Sequence, residues 1–223
     1  MENTIGSSGI KKIRMILRLF PYLENIEKAS KLQIDDDSIH YISVREYAEK
    51  ISNIIKLHLD LINLDNNKAI ITDATAGVGG DTISFSKNFK SIYSIEISSI
   101  RSDYLRNNIG IYDCKNVTVI NDDCMNVINK IENHNVIFID PPWEPDNIGS
   151  YKQYENLKLS FGKISIETLC NNLMDLSFMV KVPELIVFKL PKNYDIVYFY
   201  KNVNNKKIYY YDLNKMIILV IVT

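Results

Sequence analysis

Asp140-Pro141-Pro142-Trp143 ends an apolar run, Ile137-Phe138-Ile139, with an acid, a rigid turn and the only Trp of the 223-residue chain. Two prolines fix the backbone and remove two amide donors, so the Pro141 and Pro142 carbonyls and the Asp140 carboxylate are left to face a ligand as acceptors. Acceptors are what chemistry on an exocyclic amine needs, because the amine's protons must be held while its lone pair turns toward an electrophile. Trp143 adds a flat face on which a base can stack, worth about 1–3 kcal/mol, and more if the base is a cation. A packed core Trp is the plain alternative. Its polar companions Glu144, Asp146 and Asn147 argue against deep burial.

Upstream lies a second group of residues with chemical meaning. The stretch DATAGVGGDT, residues 73–82, places Asp73, Thr75, Gly77, Gly79, Gly80 and Thr82 between a strand and a helix. Glycines there permit a tight turn and let a ligand approach the backbone. Nicotinamide, flavin and S-adenosylmethionine sites all use such a turn. The spacing G-x-G-G lacks the third glycine of the dinucleotide fingerprint and the Lys-Ser/Thr of a phosphate-binding loop. About 20 residues further on, Glu96 ends the next strand, where an acid accepts ribose hydroxyls. Asp122 and Asp123 end the third strand, where an acid accepts from an adenine amine. Each acid alone is equally a helix N-cap or a solvated turn residue. Three of them at the carboxyl ends of successive strands, beside the glycine turn, favour a nucleoside ligand.

These residues need a frame. The runs AIITDA, SIYSIEI, NVTVIND, NVIFID and ELIVFKL read as strands, with helical stretches near 80–89, 99–111, 123–131 and 165–179 between them. That alternation predicts βαβ units and a parallel sheet. After a helix near 194–203, KIYYYDL and MIILVIV are joined by a link that permits only a hairpin, so the last strand enters the sheet antiparallel. Before the sheet, Ser43 and Glu46 have the spacing of a capping box. They open a helix from Val44 to Leu61 with an apolar stripe through Ala48, Ile51, Ile55 and Leu59. Residues 1–9 read as a disordered lead, 10–42 as an N-terminal helical extension, and 43–223 as the main domain. The extension includes a basic amphipathic helix ending near Pro21 and a polar loop at 35–43.

Bulk properties narrow the function. A formal net charge of −1 speaks against non-specific grip on long nucleic acid and for a local contact with one nucleotide or one end. Three scattered cysteines, with no CxxC, read as reduced thiols of an intracellular protein. Three isolated histidines give no metal site. No apolar run is long enough to span a bilayer, so the expectation is a soluble protein of cytoplasm or nucleus.

DATAGVGGDTISF, SIEI, INDDC and FIDPPW together resemble the motif series of class I methyltransferases that use S-adenosylmethionine. With the helix from Ser43 and the segment Leu190-Pro191-Lys192-Asn193, the chain is more narrowly similar to the trimethylguanosine synthases, over about residues 35–223. These RNA cap guanine-N2 methyltransferases act on 7-methylguanosine caps. The resemblance implies a seven-stranded Rossmann-like sheet of order 3-2-1-4-5-7-6, with the N-terminal helical part walling the cap pocket. By position, Asp73, Thr75, Gly77, Gly79 and Thr82 hold the methionine part of the cofactor, Glu96 its ribose and Asp123 its adenine. Trp143 stacks on 7-methylguanine, Asp140 and Pro141 face the target amine, and Lys192 and Asn193 lie toward the substrate. Lys28 and Lys31 are further basic candidates for the cap phosphates. The family pattern has Ser where this chain has Asp140, Gly where it has Glu144, and Arg where it has Lys192. Asp140 brings the motif toward adenine-N6 and rRNA guanine-N2 enzymes, which form the alternative reading. Glu144 leaves open whether one or two methyls are added.

Overall fold

The computed structural model describes residues 7–144, 150–204 and 207–223. In chain order the elements begin with α1 (Ser7–Leu19), α2 (Ile26–Ala29), α3 (Ser38–Tyr41) and α4 (Arg45–Leu61). There follow β1 (Ile70–Asp73), α5 (Gly80–Ser86), β2 (Ser91–Ile95), α6 (Ser99–Ile111), β3 (Val117–Ile120), α7 (Cys124–Val127) and β4 (Val136–Ile139). The second half adds the short pair β5 (Ser160–Phe161) and β6 (Ile164–Ser165), then α8 (Ile166–Leu173), β7 (Leu185–Pro191), α9 (Ile196–Asn202), β8 (Ile208–Asp212) and β9 (Met216–Val222).

Seven strands form one sheet in the order β3-β2-β1-β4-β7-β9-β8. β3, β2, β1, β4 and β7 pair in parallel, and β9 runs antiparallel between β7 and β8. This is the predicted order, with the last strand inserted through its hairpin. Strands covered on both faces need apolar residues at every position, and β4 and β7 are buried along their whole length. Their alternation splits the core. Ile137, Ile139, Ile186 and Phe188 pack toward α8 and α9, with Leu169, Leu173 and Phe199. Val136, Phe138, Leu185 and Val187 pack toward α4 and α5, with Ile51, Ile55, Leu59 and Phe85.

The N-terminal segment forms a third cluster. Ile16, Leu19, Phe20 and Leu32 pack against Val78 and Ile83 beside the glycine turn. Asn108 of α6 ties it down, accepting from Gln33 N–H and donating to the carbonyls of Gln33 and Val78.

Several local expectations are corrected. The lead expected through residue 9 ends earlier, because Ser7–Gly9 already belong to α1; residues 1–6 lie outside the described residues. The loop at 35–43 contains α3, begun by Asp35 accepting from both Ser38 N–H and Ser38 Oγ. The capping box does not form. Val44 is the N-cap of α4, the Ser43 hydroxyl donates to Asp81 at 2.6 Å, and Glu46 pairs with Lys50. The bond to Asp81 holds the Ser43 hydroxyl toward α5. Helices are shorter than predicted: α5 ends at Ser86, α7 passes into a 3-10 turn at Ile128–Lys130, α8 stops at Leu173 and α9 spans Ile196–Asn202.

Candidate active site

Register and alternation bring the site together. On the face toward α4 and α5, Ile71 lies beside Val136 and Val136 beside Leu185; Asp73 then lies beside Phe138, and Phe138 beside Val187. One step of two residues further, the same face must carry Thr75, Asp140 and Lys189. The bonds agree. Asp140 N–H donates to Thr75 Oγ1 at 2.8 Å, and Lys189 Nζ donates to Asp140 Oδ2 at 2.5 Å. The carboxyl ends of β1, β4 and β7 thus form one rim, the position at which open α/β sheets take ligands.

On the β1–β2 side the rim is organised by backbone amides and hydroxyls. Gly77 and Gly79 have positive φ, 53° and 103°, and a Cβ on Gly79 would meet Leu105 Cδ1 at 2.7 Å. A Cβ on Gly80 would meet Ile42 at the same distance, so glycine lets the N-terminal segment close onto the turn. The turn aims Gly77 N–H at Glu96 Oε2 (2.8 Å), and Ser98 N–H holds Glu96 Oε1 (2.8 Å). Both oxygens of Glu96 are thereby fixed. Asp73 is fully buried and accepts from the Thr82 hydroxyl at 2.6 Å, and Thr82 also meets Ser94 at 3.0 Å. Asp123 is the N-cap of α7, accepting from Met125 N–H, while Asp122 accepts from Asp123 N–H and Asn126.

On the β4–β7 side the rim is organised by charge and aromatic contact. Trp143 is half-buried against the edge of the core, its indole N–H directed at the Lys189 carbonyl at 3.3 Å. Lys189 Nζ lies 5.5 Å from the centre of the indole ring, and Tyr151 meets that ring edge-on, also at 5.5 Å. Pro141 is buried, whereas Pro142 and Glu144 are exposed; Asp146 and Asn147 lie outside the described residues. Asn193 spends its amide on the carbonyls of Tyr151 and Tyr154, so it holds the loop that presents Tyr151. Lys192 pairs with Asp212 at 3.0 Å across the exposed surface. Beyond Tyr151 opens a groove of about 490 Å³ lined by Lys152, Lys192, Asn193 and Lys215.

Among the described residues of this rim, the buried Asp73 and Asp81 and the partly buried Asp140 face one buried cation, Lys189. Burial, reinforced by the neighbouring Asp81, pushes Asp73 up to about 8. Burial also raises Asp81, whose Oδ2 accepts from Ser43 while Oδ1 has no hydrogen-bond partner among the described residues. Burial raises Asp140 as well, but the Lys189 ammonium holds it to about 6. Desolvation works against the Lys189 charge, and the surrounding carboxylates, Asp140 first, outweigh it and raise Lys189 above its ordinary value.

Of the residues expected at the site, Asp73, Thr75, Gly77, Gly79, Thr82, Glu96, Asp123, Asp140 and Trp143 lie along this rim; Lys189, Asp81 and Tyr151 join them unexpected from the sequence. One signal was present: a lone Lys within ELIVFKL, in a strand too apolar to leave it unpaired.

Comparison with known proteins gives the chain its family. Residues 68–217 match the model of a family described as RNA cap guanine-N2 methyltransferase. An uncharacterized protein of Acanthamoeba polyphaga mimivirus is 35% identical over 212 residues, covering 87% of this chain and 80% of its own. Among solved structures, a hypothetical protein of Thermus thermophilus superposes with a TM-score of 0.57 at 12% identity, over 93% of this chain and 98% of that one. An rRNA methylase from Streptococcus thermophilus gives 0.50 at 16% identity, over 76% and 95%. At these identities the structural likeness shows the fold alone, a Rossmann-like methyltransferase sheet. The family match carries more: the chain belongs to the RNA cap guanine-N2 methyltransferase family, an RNA methyltransferase whose methyl donor is S-adenosylmethionine.

Proposed function

We propose that the protein transfers a methyl group from S-adenosylmethionine to the exocyclic N2 of 7-methylguanosine at an RNA 5′ cap. The observation that carries the reading is the rung at the end of β4: a half-buried Trp143 ring beside the Asp140 carboxylate, on the same rim as the glycine turn. A 7-methylguanine suits this place, since the aromatic face favours a stacked cationic ring and the Asp140 carboxylate offers an acceptor for its amine.

The residues present fit the donor. Asp73, together with the uncompensated oxygen of Asp81, makes the turn hospitable to a cationic methionine end. Glu96, fixed by two backbone amides, faces the ribose, and Asp123 lies at the adenine end while capping α7. Gly77, Gly79, Thr75 and Thr82 shape the turn around them. The N-terminal helical part, docked on this turn through Ser43–Asp81, is the wall that closes the pocket.

S-adenosylmethionine supplies a sulfonium methyl: the N2 lone pair forms the N–C bond as the C–S bond breaks, with the electron pair passing to sulfur. Asp140 and the Pro141 carbonyl accept from the amine and orient its lone pair. Asp140 then takes the proton that the alkylated nitrogen sheds. A strong base is not needed earlier, because positioning against a potent electrophile supplies much of the rate. Trp143 and Tyr151 fix the plane of the base, and Lys192, with Lys152 and Lys215 of the adjoining groove, faces the cap phosphates as point charges.

One observation favours a second reading. An Asp at 140, where the family has Ser, is the acceptor used on adenine N6 or an rRNA guanine N2. Labelled S-adenosylmethionine offered with 7-methyl-GTP, GTP and adenine-containing RNA and DNA oligomers separates the two. Product from 7-methyl-GTP alone supports the cap reading, and its mass counts the methyls. Product from the oligomers alone overturns it in favour of the second.

A further inference from the structure

We propose that Lys189 is a positioning residue of the transfer step: its ammonium keeps the Asp140 carboxylate charged and aimed at the target amine, while its main-chain carbonyl moors the Trp143 platform to the same strand. This rests on the reading that Asp140 faces the amine.

Lys189 sits in β7 among Leu185, Ile186, Val187, Phe188 and Leu190, and its side chain is 3% exposed. Burying an ammonium there costs several kcal/mol, and an apolar residue of similar size is often no less stable than a buried ion pair. Packing alone does not account for the residue. Its contacts do converge on the proposed chemistry. Nζ donates to Asp140 Oδ2, Nζ lies over the Trp143 ring, and the Trp143 indole N–H points at the Lys189 carbonyl.

Among the described residues, the groups facing Asp140 are Lys189 from β7, Asp81 from α5, Asp73 from β1 and the Trp143 indole N–H. Lys189 is the one cation in that set. Asp73 shows what a carboxyl on this rim does when hydroxyl and amide donors are its hydrogen-bond partners: it keeps its proton to about 8. Without Lys189, Asp140 faces two acids and joins Asp73 in the protonated state at neutral pH. A carboxylic acid there donates a hydrogen bond where the amine needs an acceptor.

The test compares Lys189→Met and Lys189→Arg with the wild type in kcat and KM across pH 5–9. For Lys189→Met, kcat at pH 7 should fall about tenfold or more while KM stays within about threefold, since Trp143 bonds to a main-chain carbonyl that every residue carries. The acid limb of kcat should move up by about one pH unit or more, so that high pH restores rate. Lys189→Arg should keep the wild-type limb. Because the Met variant can fail to fold, Asp140 is also titrated by carboxylate carbon NMR in wild type and Lys189→Arg, where a pKa well below that of Asp73 in both is expected. Asp140 titrating with Asp73 in the wild type overturns the proposal, as does an acid limb unmoved in a folded Lys189→Met protein. If the wild type methylates adenine oligomers rather than 7-methyl-GTP, the cap reading falls. The same limb measured on those oligomers still decides the role of Lys189. No transfer to any nucleotide substrate overturns both.

Discussion

The two halves of the rim hold their acids by different means. On the β1–β2 side Glu96 is fixed by two backbone amides, and Asp73 by a threonine hydroxyl. On the β4–β7 side Asp140 is fixed by a buried ammonium, and Trp143 by that residue's carbonyl and an aromatic neighbour. Backbone donors come from the turn itself, so the first half is built locally. The second half exists only after β4 and β7, nearly fifty residues apart in sequence, pair in register. The first presents a fixed set of acceptors around the glycine turn, suited to a nucleoside. The second is internally neutralised and offers one charged acceptor beside a ring, suited to a base whose protons must be held.

The largest effect expected from this contrast comes from Asp140→Ala. It strips Lys189 of its hydrogen-bonded counter-ion, leaving Asp81 and Asp73 as the carboxyls that still face it, and breaking such a buried pair costs roughly 3–5 kcal/mol of stability. Denaturant unfolding should show that loss, with methyl transfer down by about a hundredfold or more. Glu96→Gln should act on the other half alone. Charged hydrogen bonds of about 1.5–3 kcal/mol are weakened, so the affinity for S-adenosylhomocysteine should fall roughly 10- to 100-fold while 7-methyl-GTP binding is unchanged in calorimetric titration.

Asp73→Asn gives the comparison a pH signature. In the folded, cofactor-free protein Asp73 keeps its proton to about 8, whereas an unfolded Asp loses it near 3.9. Between these values the folded state binds more protons than the unfolded one, so stability contributed at low pH is lost as pH rises toward 8. The Asn variant lacks that slope. Its melting temperature at pH 8 should exceed the wild type's by several degrees, at about 2–4 °C per kcal/mol for a chain of this size, while its cofactor affinity falls. The smallest effect belongs to Asp123→Ala, which removes an N-cap worth about 1 kcal/mol. If Asp123 also meets the adenine, cofactor affinity falls alongside stability; a stability loss alone leaves it a cap.

What was legible in the chain divides along the same line. Gly77, Gly79 and Glu96 could be read because their placement depends on short-range spacing: a turn after one strand, an acid at the end of the next. The parallel sheet and its antiparallel last strand follow from alternating elements and from the short link at Asn214, whereas the strand order is what the resemblance to the methyltransferases implies. Lys189 could not be placed without the pairing of β4 with β7, since nothing local distinguishes its face from that of Phe188. Ser43 misled for a related reason. Its spacing to Glu46 is a local signal, and the buried Asp81 that takes its hydroxyl lies 38 residues away in sequence. Asn193, expected to lie toward substrate, also holds the Tyr151 loop through its side-chain N–H groups, a contact invisible until that loop folds back.

The separation of the two halves is tested most directly by one variant and two titrations. S-adenosylhomocysteine and 7-methyl-GTP are titrated calorimetrically into wild type and Trp143→Ala. Loss of at least about tenfold in 7-methyl-GTP affinity, with S-adenosylhomocysteine affinity unchanged, is the predicted result, given stacking worth about 1–3 kcal/mol. Equal loss of both would show that Trp143 is a packing residue and contradict the account.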